Sequence, residues 1–216
     1  MRNRFEEQLF ELNREIIEMG ALCEEAISKT VEALTTGNTA LAADVVSGSG
    51  AIDQMERSIE SLCMKLLLHQ QPVARDLRLI SAAMKMITDM ERIGDQAEDV
   101  AEIITFLGGR TMENGSLIPK MAREATGMVT SSVDAFVKKD VALARQVIAR
   151  DDVVDDCFNQ IKGRIIDFIA KNPADGEFSL DLLMISKYFE RIADHATNIA
   201  EWVIYAVTGT HQEDYK

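Results

Sequence analysis

The chain has 216 residues, a formal net charge of −13, only 6% aromatic residues and three prolines. Few aromatics, frequent Met and recurrent apolar and acidic residues favour an all-helical fold over a β-sandwich or a parallel sheet. The negative charge disfavours direct binding to nucleic acid and to anionic membrane surfaces.

The N-terminus and the cysteines predict a cytoplasmic protein. Charged residues interrupt any signal-like apolar run at the N-terminus, and no stretch approaches the ~18 apolar residues of a membrane span. Cys23, Cys63 and Cys157 are widely spaced and odd in number. We expect these thiols to be reduced and buried.

Apolar residues at alternating steps of four and three predict three main helices in the first half. The first helix runs from about residue 5 to residue 34, and a short helical stretch at 39–46 follows it. The second helix begins near Asp53 and ends before Pro72. The third carries a stripe from Met86 to Leu107 and ends at two glycines.

The second half predicts the same three-helix pattern. A fourth helix begins at Pro119 and continues past Phe136. Asp140 is expected to cap a short helix that ends at Arg150, and a fifth helix follows it over 154–168. Asn172 and Pro173 end the fifth helix, and Ser179 is the expected N-cap of the sixth.

One thirteen-residue sequence occurs twice. Residues 90–102 read MERIGDQAEDVAE and residues 189–201 read FERIADHATNIAE, with seven identities at a separation of 99 residues. The second and fifth helices correspond at an offset of 102. The chain is therefore predicted to be all-α, with two tandem three-helix bundles side by side. The predicted units are 1–109, a linker 110–117, a second repeat 118–210 and a disordered tail 211–216.

Each repeated sequence carries an acidic pair, Glu91 with Asp95 and Glu190 with Asp194. Residues four apart lie on one helix face, and like charges there destabilise an isolated helix by roughly 0.2–0.5 kcal/mol. A bound cation would explain why both halves keep such a pair. Acidic side chains that are simply solvated are the alternative, and His195 is either a ligand or an ordinary polar residue.

Antiparallel packing would bring further acids from the preceding helices to these pairs. The acids that would face the first pair are Asp53, Glu56 and Glu60, and those that would face the second are Asp152, Asp155 and Asp156. Oxygen-only sites suit hard cations such as Mg²⁺, Mn²⁺, Ca²⁺ or ferric iron. A di-iron enzyme would need Glu-x-x-His pairs, and the sequence has none. Catalysis is therefore not expected.

The duplicated ERI[GA]D motif, together with QPVARDLR at 71–78 and DHATNIAE at 194–201, resembles the PhoU family of phosphate-uptake regulators. The resemblance extends from about residue 4 to residue 208. Asp99 departs from it, since an Asn is usual there, and residues 47–50 replace a charged turn with Gly and Ser.

The resemblance implies a cytoplasmic, non-enzymatic adaptor that restrains phosphate uptake and the phosphate-starvation response when phosphate is plentiful. The implied partners are the ATPase subunit of the phosphate-specific ABC transporter and a phosphate sensor histidine kinase. Contact with the membrane would be indirect, through these partners. A homodimer is expected separately, from an amphipathic six-helix body with acidic grooves. An accessory protein of another transporter, such as an inorganic phosphate permease, is the alternative.

The resemblance also implies metal binding on the motif helices, because some family members carry metal clusters there. The metal would be Fe, Mn, Mg, Ca or Zn. The candidate ligands are Glu91, Asp95, Asp99, Glu190, Asp194 and Asn198 on the motif helices, with Asp53, Glu56, Asp152 and Asp155 on the facing helices.

Overall fold

The computed structural model of the protein describes residues 2–70, 72–111 and 116–210. These residues form α-helices and one 3₁₀ turn, without a β-strand among them, which confirms the all-α prediction. The elements are α1 (Arg2–Thr36), α2 (Thr39–Gly48), α3 (Gly50–Gln70), α4 (Ala74–Phe106), α5 (Ile118–Lys138), α6 (Val141–Lys171), the 3₁₀ turn Pro173–Asp175 and α7 (Gly176–Thr208).

Two three-helix bundles lie side by side, as the sequence predicts. Helix α1 packs on α3 and α4 in the first bundle, with α2 against α1 and α4, and α5 packs on α6 and α7 in the second. Helices α4 and α7 are in contact along the interface of the bundles, and α1 contacts α5. Full burial of an aliphatic or Met side chain contributes about 1.5–3 kcal/mol. The stripes that supply it have no solvent exposure: Met86, Met90, Ile93, Ala97 and Val100 on α4, and Ile185, Phe189, Ile192, Ala196 and Ile199 on α7.

The two central helices α4 and α7 run antiparallel. Arg110, just after α4, forms an ion pair with Asp175, just before α7, with Nη2 and Oδ1 2.9 Å apart. At the opposite end the guanidinium of Arg78 lies beside Gly209. The duplicated motif lies near the middle of each helix, so both motifs belong to one central helix pair.

The middle helix of the first bundle is divided into α2 and α3, whereas its equivalent in the second bundle, α6, is continuous. Ser49 alone separates α2, which ends at Gly48, from α3, which begins at Gly50, and the predicted short helix is confirmed. Helix α6 instead runs unbroken from Val141 to Lys171, so the predicted end at Arg150 is wrong. The segment contains no proline and its only glycine is Gly163, hence nothing interrupts the backbone hydrogen bonds.

The predicted cap at Asp140 is confirmed, because its Oδ1 accepts a hydrogen bond from the backbone N–H of Leu143 at 3.0 Å. The predicted cap at Ser179 is wrong. Helix α7 begins at Gly176, directly after the 3₁₀ turn, and Ser179 is already inside its first turn. There the Ser179 hydroxyl donates to the carbonyl of Asp175 at 2.8 Å.

All three cysteines are free and buried, as expected from their place in the apolar stripes. No helix in the described ranges is both long enough and apolar enough to span a membrane. Residues 112–115 of the predicted linker and the predicted tail 211–216 lie outside the described residues.

Candidate functional site

The first candidate site is a group of three carboxylates, which we call the first cluster: Asp53, Glu91 and Asp95. One ligand oxygen of each lies within 4.8 Å of the others. Asp53 is in the first turn of α3, where the helix dipole stabilises a negative charge, and the other two lie one turn apart on α4. The predicted meeting of these residues from two helices is therefore present in the structure.

The electrostatics of the first cluster favour a cation. Partial burial raises the pKa of Glu91, the charge of Asp95 raises it further, and Glu56 and Asp53 add smaller effects in the same direction. Arg92 opposes this, with its Nη1 3.0 Å from Asp95 Oδ2. The Arg92 side chain is 56% exposed, so this pair lies on the solvent side of the cluster.

A second group of acids occupies the corresponding place in the other half, and we call it the second cluster: Asp151, Asp155, Glu190 and Asp194. Partial burial raises the pKa of Asp151 to about 6, with further contributions from Asp194, Asp155, Asp152 and Glu190. The Oδ1 atom of Asp151 is buried and has no hydrogen-bond partner in the structure. The predicted Asp152 is exposed at the edge of this cluster.

Sequence reasoning missed Asp151, although a signal for it exists. Residue 151 is four positions after buried Val147 and three before buried Val154, so it belongs to the core-facing stripe of α6. It also precedes Asp155 by four residues, which is the spacing of the motif acids. An aspartate at a core-facing position of the apolar stripe is the signal that indicates this residue.

Asp99 and Asn198 face the opposite motif helix. Partial burial raises the pKa of Asp99, and the nearby hydroxyl of Tyr188 on α7 lowers it. In the reciprocal position Asn198 Nδ2 donates to Asp89 Oδ1 at 3.1 Å, and His195 Nδ1 lies 2.9 Å from the same oxygen. Asn198 and His195 therefore join the bundles through side-chain hydrogen bonds to Asp89, and Asp99 lies beside Tyr188 across the same interface.

The sequence of each half matches one family description, the PhoU domain, over residues 16–104 and 118–203. The chain belongs to the PhoU family. A phosphate-specific transport system accessory protein PhoU homologue of Clostridium acetobutylicum is 34% identical over 210 residues, 96% of each chain. A homologue of the same name from Pseudomonas aeruginosa is 34% identical over 96% of this chain and 86% of the relative.

Solved PhoU structures share the fold. The crystal structure of PhoU from Pseudomonas aeruginosa has a TM-score of 0.89 at 33% identity, over 95% of this chain and all of that one. The phosphate transport system regulatory protein PhoU from Streptococcus pneumoniae has a TM-score of 0.88 at 26% identity, over 96% of this chain and 98% of that one. The family resemblance and the duplicated bundle are thereby confirmed.

The two PhoU repeats do not offer the same ligand set. In the described part of the chain, the first cluster is the one group of three His, Cys, Asp or Glu side chains whose ligand atoms all lie within 4.8 Å. Its carboxylate-only donors fit a hard cation. In the second cluster the Lys187 ammonium is paired with Glu190 Oε2. The second cluster therefore already has a positive charge on one of its candidate metal ligands, and it fits a metal ion less well than the first cluster does.

Proposed function

We propose that this chain is a regulatory accessory protein of phosphate uptake, working in the cytoplasm. It restrains the phosphate-specific ABC transporter and the phosphate sensor histidine kinase when phosphate is plentiful. The observation that carries the proposal is the double family match, together with relatives named as accessory proteins of the phosphate-specific transport system at 34% identity over almost the whole chain.

The mode of action is reversible docking rather than catalysis. The net charge of −13 favours basic partner surfaces and speeds association with them. Large apolar side chains are also exposed, with Phe10 at 72%, Leu68 at 71% and Phe106 at 84%. Such side chains supply the apolar part of protein interfaces, including that of a homodimer.

The first cluster tunes this docking by holding a metal ion. Asp53, Glu91 and Asp95 would supply the ligand oxygens, and Glu56 lies near enough to affect Glu91. The ion would supply positive charge that neutralises the carboxylates. Because these ligands come from α3 and α4, they would then fix the two helices relative to each other, and binding to the folded state would stabilise it.

Gene deletion in the host tests the regulatory role. We expect derepressed phosphate uptake and starvation-gene expression in high phosphate, restored by the wild-type gene. Unchanged expression would contradict the proposal. Repeating the deletion in a strain without the ABC transporter separates the alternative, since an accessory protein of a permease would still alter uptake there.

Direct binding and metal content test the finer parts. The purified chain should retain the ATPase subunit and the cytoplasmic part of the kinase in a pull-down, and its molar mass in light scattering should be twice 24.0 kDa. Elemental analysis after purification without chelator should find metal in the wild type and in Asp134→Asn, an exposed control. The variant Glu91→Gln/Asp95→Asn should lose it, and equal metal content in all three would refute the site.

A further inference from the structure

The two clusters differ at two matched positions. Counting 99 residues along the motif helices, Thr88 corresponds to Lys187. Helices α3 and α6 correspond at an offset of 102 residues, which matches Asp53 with Asp155. At the same offset Glu56 corresponds to Phe158. The first half therefore has a hydroxyl and a carboxylate where the second half has an ammonium and an aromatic ring.

Thr88 and Glu56 add oxygen atoms to the surroundings of the first cluster. Thr88 Oγ1 lies 3.5 Å from Glu56 Oε1, a long hydrogen bond that leaves the carboxylate as an acceptor. Glu56 adds negative charge beside Glu91. The position that holds an ammonium in the other half is taken here by the neutral hydroxyl of Thr88.

Lys187, beside the Phe158 ring, adds a positive charge to the second cluster. The Lys187 ammonium, on a side chain that is 39% exposed, contacts Oε2 of Glu190, whose side chain is 15% exposed. It lies 5.4 Å from the centroid of the Phe158 ring. The ring attracts a cation through its π-electrons and offers no ligand atom to a metal. The charge of Lys187 also counteracts the rise in pKa that partial desolvation and Glu190 impose on Asp155.

The arginine that follows each motif glutamate is placed differently from Lys187. Arg92 is 56% exposed and pairs from the solvent side with Asp95 Oδ2 at 3.0 Å and with Glu91 Oε2 at 3.5 Å. Exposed ion pairs of this kind contribute little to stability. The counterpart of Arg92, Arg191, lies 5.8 Å from the ring centroid of Tyr188, at the interface with α4. The difference between the clusters thus rests on Lys187 and Phe158.

We propose that Lys187 is a built-in counter-ion that takes the place of a metal ion in the second cluster, with Phe158 holding its ammonium. The two repeats then have different roles. The first cluster is the cation site, whereas the second already holds a positive charge on Glu190, at the place where a metal ion would bind. This inference rests on the metal-binding part of the proposed function and adds which half binds and why.

Titration of the chelator-treated protein with Mn²⁺, followed by elemental analysis of the bound ion, tests it. The wild type should bind Mn²⁺. Glu91→Gln should lose this binding, and Glu190→Gln should retain it. The variant Lys187→Thr should bind additional Mn²⁺ that is lost again in Lys187→Thr/Glu190→Gln. Adding Phe158→Glu should tighten the new site, and Thr88→Lys should abolish the original one. Lys85→Thr, which removes a lysine from α4, is the matched control and should behave as wild type.

Thermal unfolding gives a second readout that needs no bound metal. In chelator, Lys187→Met should lower Tm by about 2–4 °C, because Glu190 loses its ion pair and the neighbouring Asp155 and Asp194 lose a nearby positive charge, whereas Lys85→Met should not. An unchanged Tm for Lys187→Met would contradict the role of Lys187 as a counter-ion.

The two levels of the proposal fail in different ways. Equal loss of Mn²⁺ from Glu91→Gln and Glu190→Gln would overturn the asymmetry and leave metal binding standing. Absence of Mn²⁺ from the wild type and from every variant would refute metal binding, and the inference with it.

Discussion

Asn198 on α7 donates a hydrogen bond to Asp89 on α4, with Nδ2 and Oδ1 3.1 Å apart, across the interface of the two repeats. His195 Nδ1 lies 2.9 Å from the same oxygen. The Asp89 side chain is 15% exposed, so this carboxylate connects two residues of the opposite bundle in a partly dry environment. Hydrogen bonds of this kind are costly to leave unmade.

Replacement of Asp89 should therefore weaken the contact between the bundles. In Asp89→Ala, His195 and Asn198 lose their shared acceptor, and we expect the free energy of unfolding to fall by about 1–3 kcal/mol in urea titrations. Asp134→Ala is the control, because its exposed pair with Lys138 should contribute at most about 0.5 kcal/mol. Equal losses in the two variants would show that the buried connection has no special weight.

The raised pKa of Asp151 predicts a pH dependence of stability. The ordinary pKa of an Asp side chain, which applies in the unfolded chain, is 3.8, and partial burial raises the pKa of the folded group to about 6. Between these values the folded state holds more protons than the unfolded state, so stability falls as pH rises through this window. Asp151→Asn cannot ionise and escapes the loss.

We therefore expect Asp151→Asn and the wild type, both in chelator, to have similar Tm near pH 4, where the folded carboxyl group is protonated. The variant should gain an advantage between about pH 4 and pH 6 and keep it above pH 7. Parallel Tm curves over the whole range would contradict the assigned pKa.

The cysteines should be unreactive in the native protein. Burial raises the pKa of Cys23 and of Cys63 to about 12 each. Since the thiolate is the reactive form, alkylation at pH 8 should be negligible in buffer and complete in concentrated urea, as measured by mass spectrometry. Rapid labelling of folded protein at either position would show that the bundle opens locally.

Gly94 marks a close approach of α4 to α3. A Cβ at this position would lie 2.8 Å from Ile52 Cδ1 and 3.2 Å from its Cγ2. Overpacking typically costs about 1–3 kcal/mol, and the better helix propensity of Ala returns up to about 1 kcal/mol. We expect Gly94→Ala to lower the free energy of unfolding by about 1 kcal/mol.

A double-mutant cycle separates the two effects. Ile52→Val removes the nearest atom, so Gly94→Ala should cost clearly less in that background. Gly163→Ala is the matched control, because no atom lies within 4 Å of its added Cβ, and it should stabilise α6 by about 0.5–1 kcal/mol. A cost for Gly94→Ala that Ile52→Val leaves unchanged would contradict the clash.

The sequence predicted the helices well because their core stripes are long and regular. Apolar periodicity placed α4 and α7, and the side chain of Asp140 marked the start of α6. The false break at Arg150 falls where charged Asp151 and Asp152 interrupt the apolar residues, which a continuous helix tolerates. The start of α7 was misplaced because a 3₁₀ turn continues directly into it.

The candidate site was predicted only as far as helix spacing reaches. The four-residue step put Glu91 beside Asp95, and antiparallel packing brought Asp53 to them. The direction in which Asp99 and Asn198 face depends on how α4 crosses α7, which the periodicity of a single helix does not contain. For the same reason Lys187 was missed, since its effect depends on contact with Glu190 and Phe158.

The antiparallel contact of α4 with α7 is reciprocal. Residues 89 and 188 are equivalent in the two repeats, as are 99 and 198. Asp89 is hydrogen-bonded to Asn198, and Tyr188 lies beside Asp99. This is the geometry of an isologous dimer, in which two identical units would be obliged to form two identical pairs. Within one chain that obligation does not apply. The two sides of the axis carry different chemistry, which no symmetric pair of identical single repeats could do.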